Sequence, residues 1–188
     1  MAGMSERDAS AALWEIHSRS EAETIAFGQR LGALLSAGDL VLLFAPFGAG
    51  KTHLTKGIGM AFGVDAADIN SPSFVLINEY EADRAHQRIP IYHVDLYRIE
   101  TPEELATVGL DDVLVGHGLA VIEWAERAAA WLPHEHLAIF MQHTGATERL
   151  IRLAPHGARY EGIVAALRAA AALFPNTTSS RPSERGLE

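Results

Sequence analysis

The hydrophobic pattern changes character several times along the chain. Ala12–Ser18 (ALWEIHS) alternates apolar and polar residues, which predicts a strand with one buried face. Ser20 follows as an N-cap, with Glu23 three residues on completing a capping box, and the pattern predicts a helix to about Leu35. Gly38–Asp39 turn into Leu40–Phe44 (LVLLF), a continuous apolar run without a polar face. Such a run predicts a strand covered on both sides in a parallel sheet. A glycine-rich turn leads to a helix from about Lys51 to Phe62, stopped by Gly63. Val75–Tyr80 and Ile89–Tyr97 read as two strands separated by a charged connection. Thr101, Pro102 and Glu104 open another helix, because proline suits the first turn and glutamate the positive helix end. Leu119–Trp124 (LAVIEW) is another buried strand. LAIFMQH and RLIRLA read as a late hairpin, and Arg159–Leu173 as a closing helix. Strands alternating with helices predict an α/β sandwich with some antiparallel pairing.

The apolar content of 48% over 188 residues supports one packed domain, expected over residues 11–174. The polar first ten residues and the Pro/Ser/Thr/Arg-rich stretch 175–188 are too poor in apolar residues to be expected to order themselves. Net charge is −9, and only two of the 15 basic residues are lysines, which argues against a free-standing nucleic-acid binder. With no cysteine there is no disulfide, no thiol nucleophile and no thiolate metal site. The nine histidines do not fall at metal-ligand spacing: His134 and His136, the closest to each other, lack an obvious third ligand. No run approaches the roughly 20 apolar residues of a membrane span, and the N-terminus lacks the order of a signal peptide, so a cytoplasmic protein is expected.

Chemistry concentrates at Ala45–Thr52 (APFGAGKT), between the buried strand and the following helix. Small residues there let successive backbone N–H groups turn inward around phosphate oxygens at the positive end of a helix. Lys51 would reach the β- and γ-phosphates, and the Thr52 hydroxyl would ligate Mg²⁺. Ala45 stands where the phosphate-loop motif has glycine, a substitution tolerable only if φ stays negative there. A phosphate loop also needs an acidic group for the metal, often at another buried strand's end. Glu123 and Asp95 both lie among apolar neighbours, where a lone carboxylate is expensive unless paired or metal-bound. The alternatives are Asp95–Arg98 and Glu123–Arg127 ion pairs. For His93 the expectation is a strand histidine with a backbone partner.

In order, APFGAGKT, SPSF (Ser71–Phe74), YHVDLYR (Tyr92–Arg98), PEEL (Pro102–Leu105) and VIEWAER (Val121–Arg127) resemble the TsaE family, also called YjeE. These are small bacterial ATPases required for N6-threonylcarbamoyladenosine at position 37 of tRNA. The resemblance runs from about Ser10 to Leu173. It implies a P-loop NTPase-like three-layer α/β sandwich with a mixed, largely parallel sheet. It further implies that Gly48, Ala49, Gly50, Lys51 and Thr52 hold the ATP phosphates, with Phe47 and His53 beside them. Thr52 and Glu123 would be Mg²⁺ ligands, and Asp95 would sit next to the metal or order its water. Lys51, Asp95, Glu123 and Trp124 form the implied catalytic set. Ser71–Ser73 would be a loop sensing the γ-phosphate, Ser73 keeping the hydroxyl of the family's usual threonine, and Thr24 would lie near the base. The implied partners are TsaD and TsaB, with tRNA reached mainly through them and no membrane role. From residues alone, a P-loop small-molecule kinase and a nucleotide-gated protein-binding module remain alternatives, the kinase weakened by the lack of an Arg-bearing lid segment.

Overall fold

The computed structural model describes residues 14–84 and 87–173; Ala12, Leu13 and both expected terminal tails lie outside them. The sheet has seven strands in the order β1-β7-β6-β2-β5-β4-β3. These are β1 Trp14–Ser18, β2 Leu40–Phe44, β3 Ile77–Arg84, β4 Gln87–Asp95, β5 Leu119–Glu123, β6 His136–His143 and β7 Arg149–His156. The helices are α1 Glu21–Gly32, α2 Lys51–Ala61, α3 Pro102–Leu105, α4 Leu110–Leu114 and α5 Ala158–Leu173. The apolar run β2 and β5, which is apolar up to its terminal Glu123, pair in parallel at the centre, flanked in parallel by β6 and β4. Antiparallel pairs are confined to the edges: β4 with β3, β6 with β7, and β7 with β1. The result is a P-loop NTPase-like α/β sandwich whose sheet is parallel in the middle and antiparallel outside it.

Side-chain alternation along β2 builds two cores. Val41 and Leu43 face α1, α2 and α5, packing with Leu31, Leu54, Ile58 and Leu167. Leu40 and Leu42 point to the opposite face and meet Leu96, Leu105, Leu110, Val113 and Ala128. With both faces covered, β2 has no room for a polar residue, which is why its sequence is a plain apolar run. On the first face α1 and α2 approach closely because glycines meet at their crossing. A Cβ on Gly28 would run into the carbonyl of Leu54, and one on Gly57 into that of Ile25.

Three local expectations change. Helix α1 ends at Gly32 rather than near Leu35, because its last carbonyls find partners outside the helix. Arg84 donates to the carbonyls of Gly32, Ala33 and Leu35, and its guanidinium lies 5.0 Å over the Phe62 ring. The Ser20 cap forms, but Glu23 reciprocates to the N–H of Arg19, one residue upstream of the capping-box position. The charged stretch expected to be a connection between two strands is itself strand: β3 and β4 pair from Ile77↔Val94 to Arg84↔Gln87. At a sheet edge one face is open to water, so charge there does not oppose pairing.

Candidate functional site

The site forms where parallel strands end. β2 runs into Ala45–Gly50, and α2 begins at Lys51 with Gly50 as its N-cap in the left-handed region, at φ +97° and without a side-chain cap. The first N–H groups of α2 therefore have no side chain as acceptor, an arrangement suited to an anion. Gly48 also has positive φ, at +77°. Ala45 is not among the non-glycine residues with positive φ, which are Leu76 and Trp124 in the described chain. Alanine at that position therefore leaves the loop unstrained.

Lys51 is only 6% exposed, and its ammonium donates to the carbonyls of Ala45 and Pro46, at 3.1 Å each. The same nitrogen lies 4.2 Å from the centre of the Trp124 ring. Burial pulls its pKa below the ordinary lysine value, while Glu123, Asp95 and Glu126 pull it back up. Trp124 follows β5 with φ +58°, a left-handed turn that brings its ring over Lys51 and, at 5.0 Å between centroids, against Tyr97. Phe47, 82% exposed, extends this row of rings by lying 6.3 Å from Tyr97.

Opposite the loop stand the two carboxylates. Asp95 and Glu123 are register partners in the β4–β5 pair, so two neighbouring strand tips each carry an acid. Neither alternative ion pair forms: Arg127 donates to the carbonyl of Ile99, and Arg98 stacks 4.2 Å over the Phe74 ring. The Thr52 hydroxyl instead lies 3.4 Å from Glu123 Oε1, joining the phosphate loop to β5. Asp95 accepts from the Ser71 hydroxyl at 2.8 Å and from the Tyr97 N–H at 3.0 Å.

His93 differs from expectation. Its partner is not a backbone group but the Glu123 carboxylate, with Nε2 at 2.8 Å from Oε1 and the ring fully buried. Nδ1 is buried without a partner. A proton on Nδ1 would be a stranded donor, so the arrangement fits a neutral ring with its proton on Nε2, donating to Glu123. Register carries this contact: His93 faces Val121 on β5, two residues before Glu123. The sequence signal was present, since His93 and Asp95 share a face of β4 at spacing two.

The remaining expected residues fall into two groups. Gly48, Ala49, Gly50, Lys51, Thr52, Asp95, Glu123 and Trp124 are linked through the bonds, ring contacts and loop described above. Thr24 is fully buried, its hydroxyl engaged with Ser18 Oγ at 2.8 Å and the carbonyl of Ser20 at 3.2 Å, so it holds the β1–α1 corner together and offers no free hydroxyl to a base. His53 faces Glu21 at 3.5 Å. Ser73 is half-buried, and the hydroxyl of the loop that reaches the carboxylates is that of Ser71.

One hydroxyl, two adjacent carboxylates and a phosphate-facing loop match what Mg²⁺ asks for, since that ion takes few protein oxygens and leaves the rest of its shell to phosphate and water. Among the described residues no group of three or more His, Asp or Glu could hold a metal by itself. None of the described helices is long and apolar enough to cross a membrane.

Comparison with known proteins agrees with this geometry. The family model "Threonylcarbamoyl adenosine biosynthesis protein TsaE" matches residues 18–151. The tRNA threonylcarbamoyladenosine biosynthesis protein TsaE of Bacillus subtilis is 37% identical over 139 residues, covering 74% of this chain and 84% of its own. The protein of the same name from Treponema pallidum is 35% identical, with 73% and 97% covered. The crystal structure of Bacillus subtilis YdiB superposes with a TM-score of 0.68 at 32% identity, covering 84% of this chain and 95% of that one. On a match that spans the phosphate loop and both carboxylates, this chain belongs to the TsaE family.

Proposed function

We propose that this protein is a Mg²⁺-dependent ATPase that acts with TsaB and TsaD to form the threonylcarbamoyl group on adenosine 37 of tRNA. The observation that carries the reading is the facing of Lys51 and Thr52 on the loop with Glu123 and Asp95 on the strand tips. The N–H groups of Gly48–Thr52 take the phosphate oxygens. Lys51 leaves the carbonyls of Ala45 and Pro46 for the β- and γ-phosphates, a short swing that exchanges neutral acceptors for anionic ones. The Thr52 hydroxyl and Glu123 would hold Mg²⁺, with Asp95 beside it, and the ion would supply charge neutralisation at the phosphates. His93 holds its proton at Nε2 toward Glu123 Oε1, fixing that carboxylate's orientation. Trp124, packed against Tyr97, covers the ammonium of Lys51 with its ring. The net charge of −9 supports a subunit that docks to proteins and leaves most tRNA contact to them, in the cytoplasm.

A nucleotide-gated binding module is favoured by a separate observation. Phe74 and Val75, 81% and 64% exposed, adjoin the loop that touches Asp95, so nucleotide state could change an apolar docking surface. Phosphate release measured with and without purified TsaB and TsaD separates the two readings. Stimulated turnover supports the ATPase, and ATP-dependent assembly without turnover supports the module.

A further inference from the structure

Arg149, the first residue of β7, plays no part in the site as described above, yet it reaches the phosphate loop from behind. It is 4% exposed and held in register on both sides, opposite Ser18 on β1 and His143 on β6. Its Nε donates to the carbonyl of Ala49 at 3.1 Å, and one terminal nitrogen donates to the carbonyl of Thr147 at 3.0 Å. The guanidinium also lies against Gly50, where a Cβ would come within 2.6 Å of Nε. No carboxylate pairs with it among the described residues.

Two physical consequences follow. Ala49 is fully buried between two glycines of positive φ, so water does not reach its carbonyl, and Arg149 is the donor that keeps this group turned away from the cleft. Holding that carbonyl fixes the backbone of Ala49, whose own N–H turns back to the carbonyl of Pro46 at 3.3 Å, and so fixes the entry to α2, whose first N–H groups have no side-chain acceptor. A buried guanidinium without a counter-carboxylate is also unfavourable until an anion comes near, and the nearest place for one is the loop it supports.

We propose that Arg149 is a positioning residue for the phosphate loop, holding the Ala49 carbonyl outward and supplying the loop with a fixed positive charge, so that it sets affinity for the polyphosphate part of the nucleotide. This rests on the proposed binding of ATP at the loop. Arg149→Met removes charge and donor at similar volume; Arg149→Lys keeps the charge and loses the Nε–H. Binding of tripolyphosphate, ADP and ATP is measured by calorimetry on folded protein, with melting temperature and ATPase kinetics alongside. Arg149→Met should weaken all three ligands at least twentyfold, and Arg149→Lys about fivefold. In both, kcat/KM for ATP should fall more than kcat. A purely structural arginine would lower the melting temperature and leave tripolyphosphate affinity unchanged, which overturns the proposal. If Arg149→Met does not fold, wild-type tripolyphosphate affinity in Arg149→Lys overturns it by itself. Wild-type protein that binds neither ATP nor tripolyphosphate would remove the proposed function, and this inference with it.

Discussion

Asp95 and Glu123 are 3% and 2% exposed, whereas Phe74 and Val75, on the loop tied to Asp95 through Ser71, are 81% and 64% exposed. The carboxylates hang from the ends of paired strands, and neighbours within the sheet fix their positions. The loop is held by the Ser71–Asp95 bond and by Pro72, whose carbonyl accepts from the N–H groups of Val75 and Leu76. It ends at Leu76 with φ +69°, a left-handed conformation that costs a branched side chain about 1 kcal/mol. The exposed side chains of Phe74 and Val75 set this loop apart from the carboxylates, which sit buried at the ends of paired strands. One half of the site is thus held by the sheet, and the other presents the exposed surface that the binding-module reading makes responsive.

Perturbing the fixed half should give the larger effects. Lys51→Ala should weaken ATP binding at least a hundredfold in a calorimetric titration and leave the circular dichroism spectrum unchanged, because the ammonium serves phosphate and not the core. Wild-type affinity in that variant would dismantle the phosphate-loop assignment. The role proposed for Lys51 needs its charged form, and burial lowers its pKa. Affinity should therefore decline as pH rises toward alkaline values, starting lower than an ordinary lysine would require.

His93→Leu should lower kcat about tenfold with little change in KM, since it leaves the loop intact and frees the Glu123 carboxylate to reorient. His93→Gln, whose amide can still donate to Glu123, should recover much of that loss. Equal activity in the leucine variant and wild type would reduce the histidine to packing.

The responsive half should show smaller effects, visible mainly through a partner. Ser71→Ala, which removes the hydroxyl bonded to Asp95, should weaken ATP-dependent assembly with TsaB–TsaD severalfold and ATP binding less, read by comparing complex formation with ATP, ADP and a non-hydrolysable analogue. Equal wild-type partner affinity in every nucleotide state would show that the loop does not act as a switch.

These halves were not equally legible in the sequence. β2 and β5 stood out because strands covered on both faces are almost wholly apolar, and the loop between β2 and α2 because its backbone demands small residues. Asp95 and Glu123 stood out as acids inside apolar runs. What escaped depended on pairing across the sheet: the His93–Glu123 contact needs the β4–β5 register, and Arg149 needs β7 to lie two strands from the loop it supports. The Ser71 contact was hidden for a different reason, since three neighbouring loop positions offered two equivalent hydroxyls and only the turn decides which faces Asp95. The β3 strand was read as partly connection because edge strands carry charge as loops do.

On the proposed function, the loop binds ATP while the strand-tip carboxylate beside Thr52 is needed for its hydrolysis. Glu123→Gln, titrated with ATP and assayed for phosphate release across a Mg²⁺ series, tests it most directly. ATP affinity should stay within about threefold of wild type, with phosphate release reduced at least a hundredfold at every Mg²⁺ concentration. Hydrolysis that persists with unchanged Mg²⁺ dependence would contradict it, leaving Glu123 as a structural partner of His93 and Thr52.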